Sequence, residues 1–239
     1  MRLITLFLLC LLAAPAQAAC RHALVLALDI SGSVNLTEYD QQQRGLAAAL
    51  RSDEVIDLLL SDTRNPVHVV VFEWSSEKHQ EIIQDWVAFE DASVITEVAG
   101  RIEENIKSRA TFKTAIGSAM HFAFDLLRQK QDCDRMTIDI SGDGKNNNGI
   151  PPENIRPSAG NARVVVNALV IGAETDAAPH RHIAATEALQ RYYEGSVIRG
   201  PGSFSIVAKN FDHYADAMKQ KLIRELSPIM LSDITKYKN

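Results

Sequence analysis

The 239-residue sequence has little of what defines several classes of protein. Its three cysteines are too few for a small disulfide-held scaffold, and no cysteine–histidine cluster has zinc-binding spacing. It has no run rich in lysine and arginine, and its formal net charge is −5, so we expect no nucleic-acid partner. Hydrophobic residues make up 46% of the chain, which excludes a disordered protein.

The sequence also lacks the short motifs of common enzyme classes. It contains no Walker loop, no Gly-x-Ser-x-Gly elbow and no recognisable serine–histidine–aspartate set. No linker rich in glycine, serine or proline divides the chain, and no internal repeat is visible. We therefore predict a single domain over residues 20–226, followed by a tail at 227–239.

The one long apolar run lies at the beginning of the chain. It extends over Leu3–Leu12, follows Arg2 and precedes the triplet Ala16-Gln17-Ala18. This order is typical of a secretory signal peptide, so we predict a signal at residues 1–18 that is removed by cleavage. An uncleaved N-terminal anchor is the alternative, although the run is short for a membrane span. We expect an exported protein, periplasmic or secreted, with no stable membrane insertion after cleavage.

Cleavage of the signal would leave two cysteines, Cys20 and Cys133, in an exported chain. Exported proteins commonly hold such a pair as a disulfide. Cys20 lies nine residues before Asp29, and Cys133 lies ten residues before Asp143, so each precedes a predicted strand by a similar distance. If those strands are neighbours in a parallel sheet, the thiols can meet. We predict a Cys20–Cys133 disulfide, with two unpaired thiols as the alternative.

Apolar runs typical of strands alternate along the chain with segments of helical spacing. The predicted strands are Ala23–Asp29, Val67–Trp74, Gln80–Trp86, Met136–Ile140, Val164–Ile171 and Ser203–Val207. The predicted helices are Leu36–Leu60, Ala92–Ile106, Thr114–Arg128, His182–Tyr193 and Phe211–Leu226. Because the best strands are apolar throughout, we predict a doubly wound α/β fold with a mostly parallel sheet covered by helices on both faces.

Polar side chains follow two of the most apolar strands. Asp29, Ser31 and Ser33 come after the first strand, and Asp143 comes after the strand at Met136–Ile140. In a doubly wound sheet, the loops at the carboxyl ends of the strands form the ligand site. Carboxylates and hydroxyls are hard oxygen ligands, so this set favours Mg²⁺, or Mn²⁺ as a substitute.

At these residues the sequence resembles the von Willebrand factor A (vWA) domain family, which includes the integrin inserted domains, over nearly the whole chain after the signal. That family's metal-ion-dependent adhesion site (MIDAS) combines Asp-x-Ser-x-Ser, a threonine that opens a helix, and an aspartate usually followed by glycine. The matching residues are Asp29, Ser31, Ser33, Thr114 and Asp143. Thr111 is the other candidate threonine, and the apolar Met120, six residues after Thr114, favours Thr114.

The resemblance implies a fold, a metal and a partner. The fold would be a six-stranded sheet of order 3-2-1-4-5-6 with an antiparallel edge strand, in which strands 1 and 4 are neighbours. The metal would be held directly and through water, and an open coordination position would take an Asp or Glu carboxylate from a protein ligand. More narrowly, Val71–Ser75 and Ile140–Gly144 resemble an uncharacterised bacterial family of exported vWA-like proteins.

The leading interpretation is an exported binding module that recognises a protein through a divalent metal, and not an enzyme. One alternative is a metal-dependent hydrolase of phosphate esters, in which the metal beside Asp29 polarises a phosphate. Against it, Asp29 is followed by Ile-Ser, without a second carboxylate two residues on to serve as general acid. The other alternative is a metal-free structural domain, in which the same loops bind only each other.

Overall fold

The computed structural model describes residues 20–106, 113–155, 163–173 and 179–227. The predicted signal peptide and nearly all of the predicted tail lie outside the described residues. Within the described part of the chain, no helix is long and apolar enough to cross a membrane.

The described residues form one six-stranded sheet, ordered β3-β2-β1-β4-β5-β6, with six α-helices. The strands are β1 His22–Asp29, β2 Val67–Trp74, β3 Gln80–Phe89, β4 Arg135–Gly142, β5 Val165–Ile171 and β6 Ser205–Ala208. The helices are α1 Leu36–Leu50, α2 Asp53–Leu59, α3 Ala92–Glu103, α4 Ile116–Leu127, α5 Pro179–Ser196 and α6 Tyr214–Leu226. Neighbouring strands are parallel except β2 and β3, which are antiparallel. The predicted fold class and strand order are confirmed.

Different helices cover the two faces of the sheet, as the side chains of β1 illustrate. Leu24, Leu26 and Leu28 pack in a core with α1, α3 and α6 on one face. The alternating residues Ala23 and Val25 pack with α4 and α5 on the other face. Because side chains of a strand point alternately to opposite faces, only a continuous apolar run satisfies both cores. This requirement explains why the apolar runs predicted the central strands well.

The predicted helix over Leu36–Leu60 is divided into α1 and α2. The chain leaves the first helix at Ser52, whose backbone is extended (φ −70°, ψ 140°) and whose hydroxyl donates to the Ala49 carbonyl oxygen over 2.8 Å. A serine that bonds a backbone carbonyl in this way competes with continuation of the helix. Asp53 and Glu54 then favour a new helix N-terminus, because negative charge is stabilised there.

The loop after β1 is fixed where α1 begins. The Asn35 side chain accepts hydrogen bonds from the amides of Thr37 and Glu38, and the Glu38 carboxylate accepts one from the Asn35 amide over 2.8 Å. This reciprocal capping box satisfies amides that the helix itself cannot pair. The amide of Val34 also donates to the Ser31 carbonyl oxygen over 3.0 Å, which closes the turn before the cap.

A disulfide joins Cys20 and Cys133 at the amino-terminal end of the parallel strands. The two cysteines precede β1 and β4, which are hydrogen-bonded neighbours, and both are buried. The amide of Asp134 also donates to the Cys20 carbonyl oxygen over 2.9 Å. The predicted disulfide is confirmed. The two cysteines meet because neighbouring parallel strands begin at the same edge of the sheet.

Candidate metal site

The five side chains predicted to bind metal come from three loops at the carboxyl-terminal edge of the sheet. β1 ends at Asp29, which lies opposite Trp74 of β2, and β4 ends immediately before Asp143. The third loop precedes α4. The structure brings together all five residues, Asp29, Ser31, Ser33, Thr114 and Asp143. The alternative threonine, Thr111, lies outside the described residues.

Short contacts connect these side chains to one another. Ser33 Oγ donates to Asp143 Oδ1 over 2.7 Å. Ser31 Oγ lies 3.3 Å from Ser33 Oγ and accepts a hydrogen bond from Thr114 Oγ1 over 3.2 Å. Asp29 Oδ1 accepts a hydrogen bond from the Ser31 amide over 2.8 Å. Ser31 therefore contacts three of the other four residues, and Ser33 connects Asp143 to them.

The site is buried at its base and open at its rim. Asp29 and Ser31 are 0% exposed and Thr114 is 5% exposed, whereas Ser33 is exposed and Asp143 is half-buried. The rim is thus accessible from solvent, as a site with an open coordination position requires.

The donor set fits a hard divalent cation. In a Mg²⁺ octahedron with metal–oxygen bonds of about 2.1 Å, adjacent ligand oxygens lie about 3.0 Å apart. The contacts that join Ser31 to Ser33 and Thr114, at 3.3 and 3.2 Å, are close to that separation. Among the described residues, no group of three or more His, Cys, Asp or Glu could hold a metal. A metal at this edge would therefore need hydroxyl oxygens beside Asp29 and Asp143.

Close packing fixes Asp29 at the base of the site. Gln42 Nε2 donates to the Asp29 carbonyl oxygen over 3.1 Å. On the β4 side, a Cβ atom on Gly142 would lie 3.1 Å from Asp29 Oδ2 and would overlap the Tyr193 hydroxyl oxygen. A side chain at position 142 would therefore displace the Tyr193 hydroxyl and crowd the carboxylate, which favours glycine before Asp143.

The position of Thr114 is set by an asparagine of the β4–β5 loop. Asn147 Oδ1 accepts a hydrogen bond from the Thr114 amide over 2.9 Å, and the Asn147 amide donates to the Thr114 carbonyl oxygen over 2.8 Å. The next amide, that of Ala115, donates to the Ser75 carbonyl oxygen over 2.7 Å. The backbone at Thr114 and Ala115 is thus held by Asn147 and Ser75, which are both distant in the sequence.

The asparagines on either side of Asn147 also join loops of the site. Asn146 Oδ1 accepts a hydrogen bond from the Gly117 amide in the first turn of α4 over 3.3 Å. Asn148 Oδ1 accepts one from the Glu77 amide over 2.9 Å. These contacts could not be predicted from the asparagine run itself, because its partners lie far away along the chain.

Two consecutive tyrosines of α5 contact the loop after Asp143. The Tyr193 hydroxyl donates to the Gly144 carbonyl oxygen over 3.1 Å, and the Asn146 amide donates to the Tyr192 hydroxyl over 3.2 Å. Burial raises the pKa of Tyr193 well above its usual value, and both carboxylates of the site raise it further. Neither tyrosine was predicted as part of the site, because in the sequence both are only part of a helical segment.

A cleft of about 480 Å³ adjoins the exposed rim of the site. Its lining includes Ser33, Glu38, Asp143, Ile171, Phe211 and Asp212. The cleft therefore shares two residues with the metal-site candidates and adds apolar and acidic surface beside them.

The structure is similar to solved vWA domains. A von Willebrand factor type A protein from Catenulispora acidiphila is 14% identical with a TM-score of 0.54, over 87% of this chain and 43% of that one. The pilus adhesin SpaC from Lactobacillus rhamnosus GG is 13% identical with a TM-score of 0.58, over 88% of this chain and 31% of that one. The chain has the vWA-like fold, as the resemblance of its motifs implied.

A further similar structure holds a metal. Proximal thread matrix protein 1 from the mussel byssus, solved with zinc in its MIDAS motif, is 13% identical with a TM-score of 0.55. The match covers 87% of this chain and 46% of that protein. The chain thus spans less than half the length of each of these three proteins.

The chain belongs to the family described as "Protein of unknown function (DUF1194)", whose model matches residues 19–230. No curated protein matches it. Because identities of 13–14% establish the fold alone, the function has to be argued from the residues of the site.

Proposed function

We propose that this chain is an exported binding module that holds Mg²⁺ or Mn²⁺ and recognises a protein partner through that metal. The metal would be held by Asp29, Ser31, Ser33, Thr114 and Asp143. The observation that carries the proposal is that these five oxygen-bearing side chains, from three separate loops, are linked by a continuous set of short contacts. A helix cap alone would use the loop after β1 and would not require the other two loops.

The partner would contribute an Asp or Glu carboxylate. A bound divalent cation supplies positive charge, and carboxylate oxygen is among its preferred ligands. The exposed Ser33 and half-buried Asp143 place the accessible side of the site next to the cleft, which offers further surface to the partner. Two proteins that share the fold support the proposal separately: one is a pilus adhesin, and the other holds zinc in its MIDAS motif.

Export to the periplasm or beyond the cell is part of the proposal. The Cys20–Cys133 disulfide supports it, because such bonds persist in oxidising compartments and are rare in the cytosol. Together with the apolar N-terminal run, the disulfide favours an exported chain.

The proposal also makes the chain a binding protein and not an enzyme. Hydrolysis would need a group beside the metal that transfers a proton, whereas Asp29 and Asp143 are both assigned here to holding the metal. A screen of phosphate esters with Mg²⁺ and Mn²⁺ tests this assignment. Turnover that disappears in Asp29→Ala would contradict it.

The metal site is tested by thermal unfolding of the purified protein with increasing Mg²⁺ or Mn²⁺, compared with EDTA. Metal that binds only the folded state must raise the melting temperature. We expect a rise in the wild type, no rise in Asp143→Ala, and an unchanged rise in Asp57→Ala, which removes an exposed carboxylate on α2. An equal rise in all three proteins would place the metal elsewhere.

The partner is tested by capture of binding proteins on the immobilised chain, with and without metal. We expect capture that EDTA releases and that Asp143→Ala abolishes, while Asp57→Ala captures the same proteins. Capture that ignores both EDTA and Asp143→Ala would mean that recognition does not pass through the metal.

A further inference from the structure

We propose that Tyr193 is a positioning residue of the metal site, whose hydroxyl fixes the loop that carries Asp143 and thereby sets the affinity for divalent metal. The inference rests on the proposed function, because it takes the five-residue site to bind metal. It adds a residue from α5, an element that supplies none of the five metal-site candidates.

The Tyr193 hydroxyl touches the chain on both sides of Asp143. It donates a hydrogen bond to the Gly144 carbonyl oxygen over 3.1 Å, and it fills the space that a Cβ atom on Gly142 would occupy. The tyrosine is 0% exposed. A hydroxyl at this depth needs a hydrogen-bond partner, and here that partner is the backbone next to a proposed metal ligand.

The loop is packed between Tyr193 and another element of the site. A Cβ atom on Gly144 would lie 3.6 Å from Thr114 Oγ1, so the peptide that receives the tyrosine's hydrogen bond also borders the threonine. On the outer side, Asp143 Oδ1 accepts a hydrogen bond from Ser33 over 2.7 Å. The loop is thus contacted by Tyr193 and also by two of the metal-site candidates, Thr114 and Ser33.

The expected consequence is a change in metal affinity. Removing a group that orients a metal ligand from outside the coordination shell typically lowers the affinity for the metal by about 10–100-fold. Tyr193→Phe keeps the buried ring and loses only the hydroxyl, so the loop would lose one anchor without a large cavity. The loop would keep the hydrogen bonds that Asn146 makes with α5 and α4.

The test is titration of wild type and Tyr193→Phe with Mn²⁺, measured by calorimetry at a temperature where EDTA-treated protein is folded. The control is Tyr39→Phe, another buried tyrosine, whose hydroxyl donates to Glu73 Oε1 and accepts from Asn105. We expect Tyr193→Phe to bind Mn²⁺ at least about tenfold more weakly. We expect Tyr39→Phe to unfold at a lower temperature in EDTA and yet to bind Mn²⁺ as the wild type does.

Three outcomes would overturn the inference, and they are distinguishable. If the wild type binds Mn²⁺ and folded Tyr193→Phe binds it equally well, only the inference fails, and the hydroxyl serves packing alone. If Tyr39→Phe loses as much affinity as Tyr193→Phe, the effect is general destabilisation. If the wild type binds no divalent metal, the proposed function fails and the inference fails with it.

Discussion

Two clusters of carboxylates border the same sheet, and different chemical groups contact the carboxylates in each cluster. In the metal-site cluster, Asp29 and Asp143 accept hydrogen bonds from a backbone amide and a serine hydroxyl. In the lysine cluster, Asp139 of β4 and Glu225 of α6 contact the Lys221 ammonium at 2.7 and 2.5 Å. All three residues of the lysine cluster are at most 2% exposed.

A chain can neutralise its carboxylates with a cation of its own or leave a site open to one from solvent. The lysine cluster is closed, since Asn167 Nδ2 also donates to Glu225 Oε1 over 2.7 Å and Phe204 covers the ammonium, with its ring centroid 5.6 Å from Lys221 Nζ. The metal-site cluster uses hydroxyls and is open at its rim. Buried carboxylates that keep their charge need a positive partner, so the open cluster is where a cation from solvent is expected to bind.

The largest effect is expected from removal of the internal cation. Lys221→Met would leave two carboxylates in a site that water does not reach, and breaking a buried pair in this way typically costs about 3–5 kcal/mol. The control is Lys219→Met on the same helix, whose ammonium pairs with the exposed Glu54 at 2.8 Å. Its loss should be much smaller, because an exposed pair is screened by solvent. Urea unfolding of both variants measures the difference, and equal losses would show that the lysine cluster is not energetically special.

The lysine cluster should also make stability depend on pH. Burial raises the pKa of Asp139 to about 7, the Lys221 ammonium opposes this shift, and the Glu225 carboxylate adds to it. Between the unfolded value near 4 and the folded value near 7, the folded state therefore binds the additional proton. The free energy of unfolding should fall as pH rises through this window, and the contribution should be constant above it.

Asp139→Asn removes this titration and is the variant that tests it. We expect a flatter dependence of the unfolding free energy on pH between about 4 and 7 than in the wild type. An unchanged slope in Asp139→Asn would show that the pH dependence arises from other carboxylates.

The metal-site cluster should respond to metal and the lysine cluster should not. At a metal concentration of 100 times the dissociation constant, binding to the folded state adds about 2.7 kcal/mol to the unfolding free energy. Asp29→Asn should lose this increment, whereas Asp139→Asn should keep it in full. Unfolding of both variants with Mg²⁺ and with EDTA checks the comparison, and a loss in Asp139→Asn would mean that the two clusters are coupled.

Local patterns predicted the central strands and the polar loops after β1 and β4, whereas the strand order and Thr114 were implied by the resemblance to the vWA family. The apolar run before Asp29 identifies a central strand, and the polar residues after it fall at the carboxyl-terminal edge once the strands are parallel. Cys20 and Cys133 were paired by their similar distances from neighbouring strands. In each case, a regular element converts spacing along the chain into position in space.

What the sequence did not predict depends on contacts between distant segments. Asp139 stands within an apolar strand and Lys221 within an amphipathic helix, and only the packing of α6 on the sheet brings them together. The same holds for Tyr193, whose partner Gly144 is 49 residues away. The break at Ser52 is different, since its cause is local but the competing hydrogen bond has no distinctive pattern in the sequence.

The smallest effect expected is that of a lysine beside the open cluster. Lys145 follows Asp143 by two residues, is exposed, and places its ammonium 5.5 Å from the centroid of the Tyr192 ring. Its charge should oppose metal binding weakly, so Lys145→Met is expected to bind Mn²⁺ more tightly by less than about tenfold at low salt. Near 0.15 M salt, where screening acts over about 8 Å, the gain in affinity should shrink.

Calorimetry at both ionic strengths measures this gain, with Lys219→Met as the unaffected control. Weaker binding would instead mean that Lys145 serves to hold the loop on Tyr192. A gain would show that a nearby lysine tunes the open cluster without closing it, in contrast to Lys221.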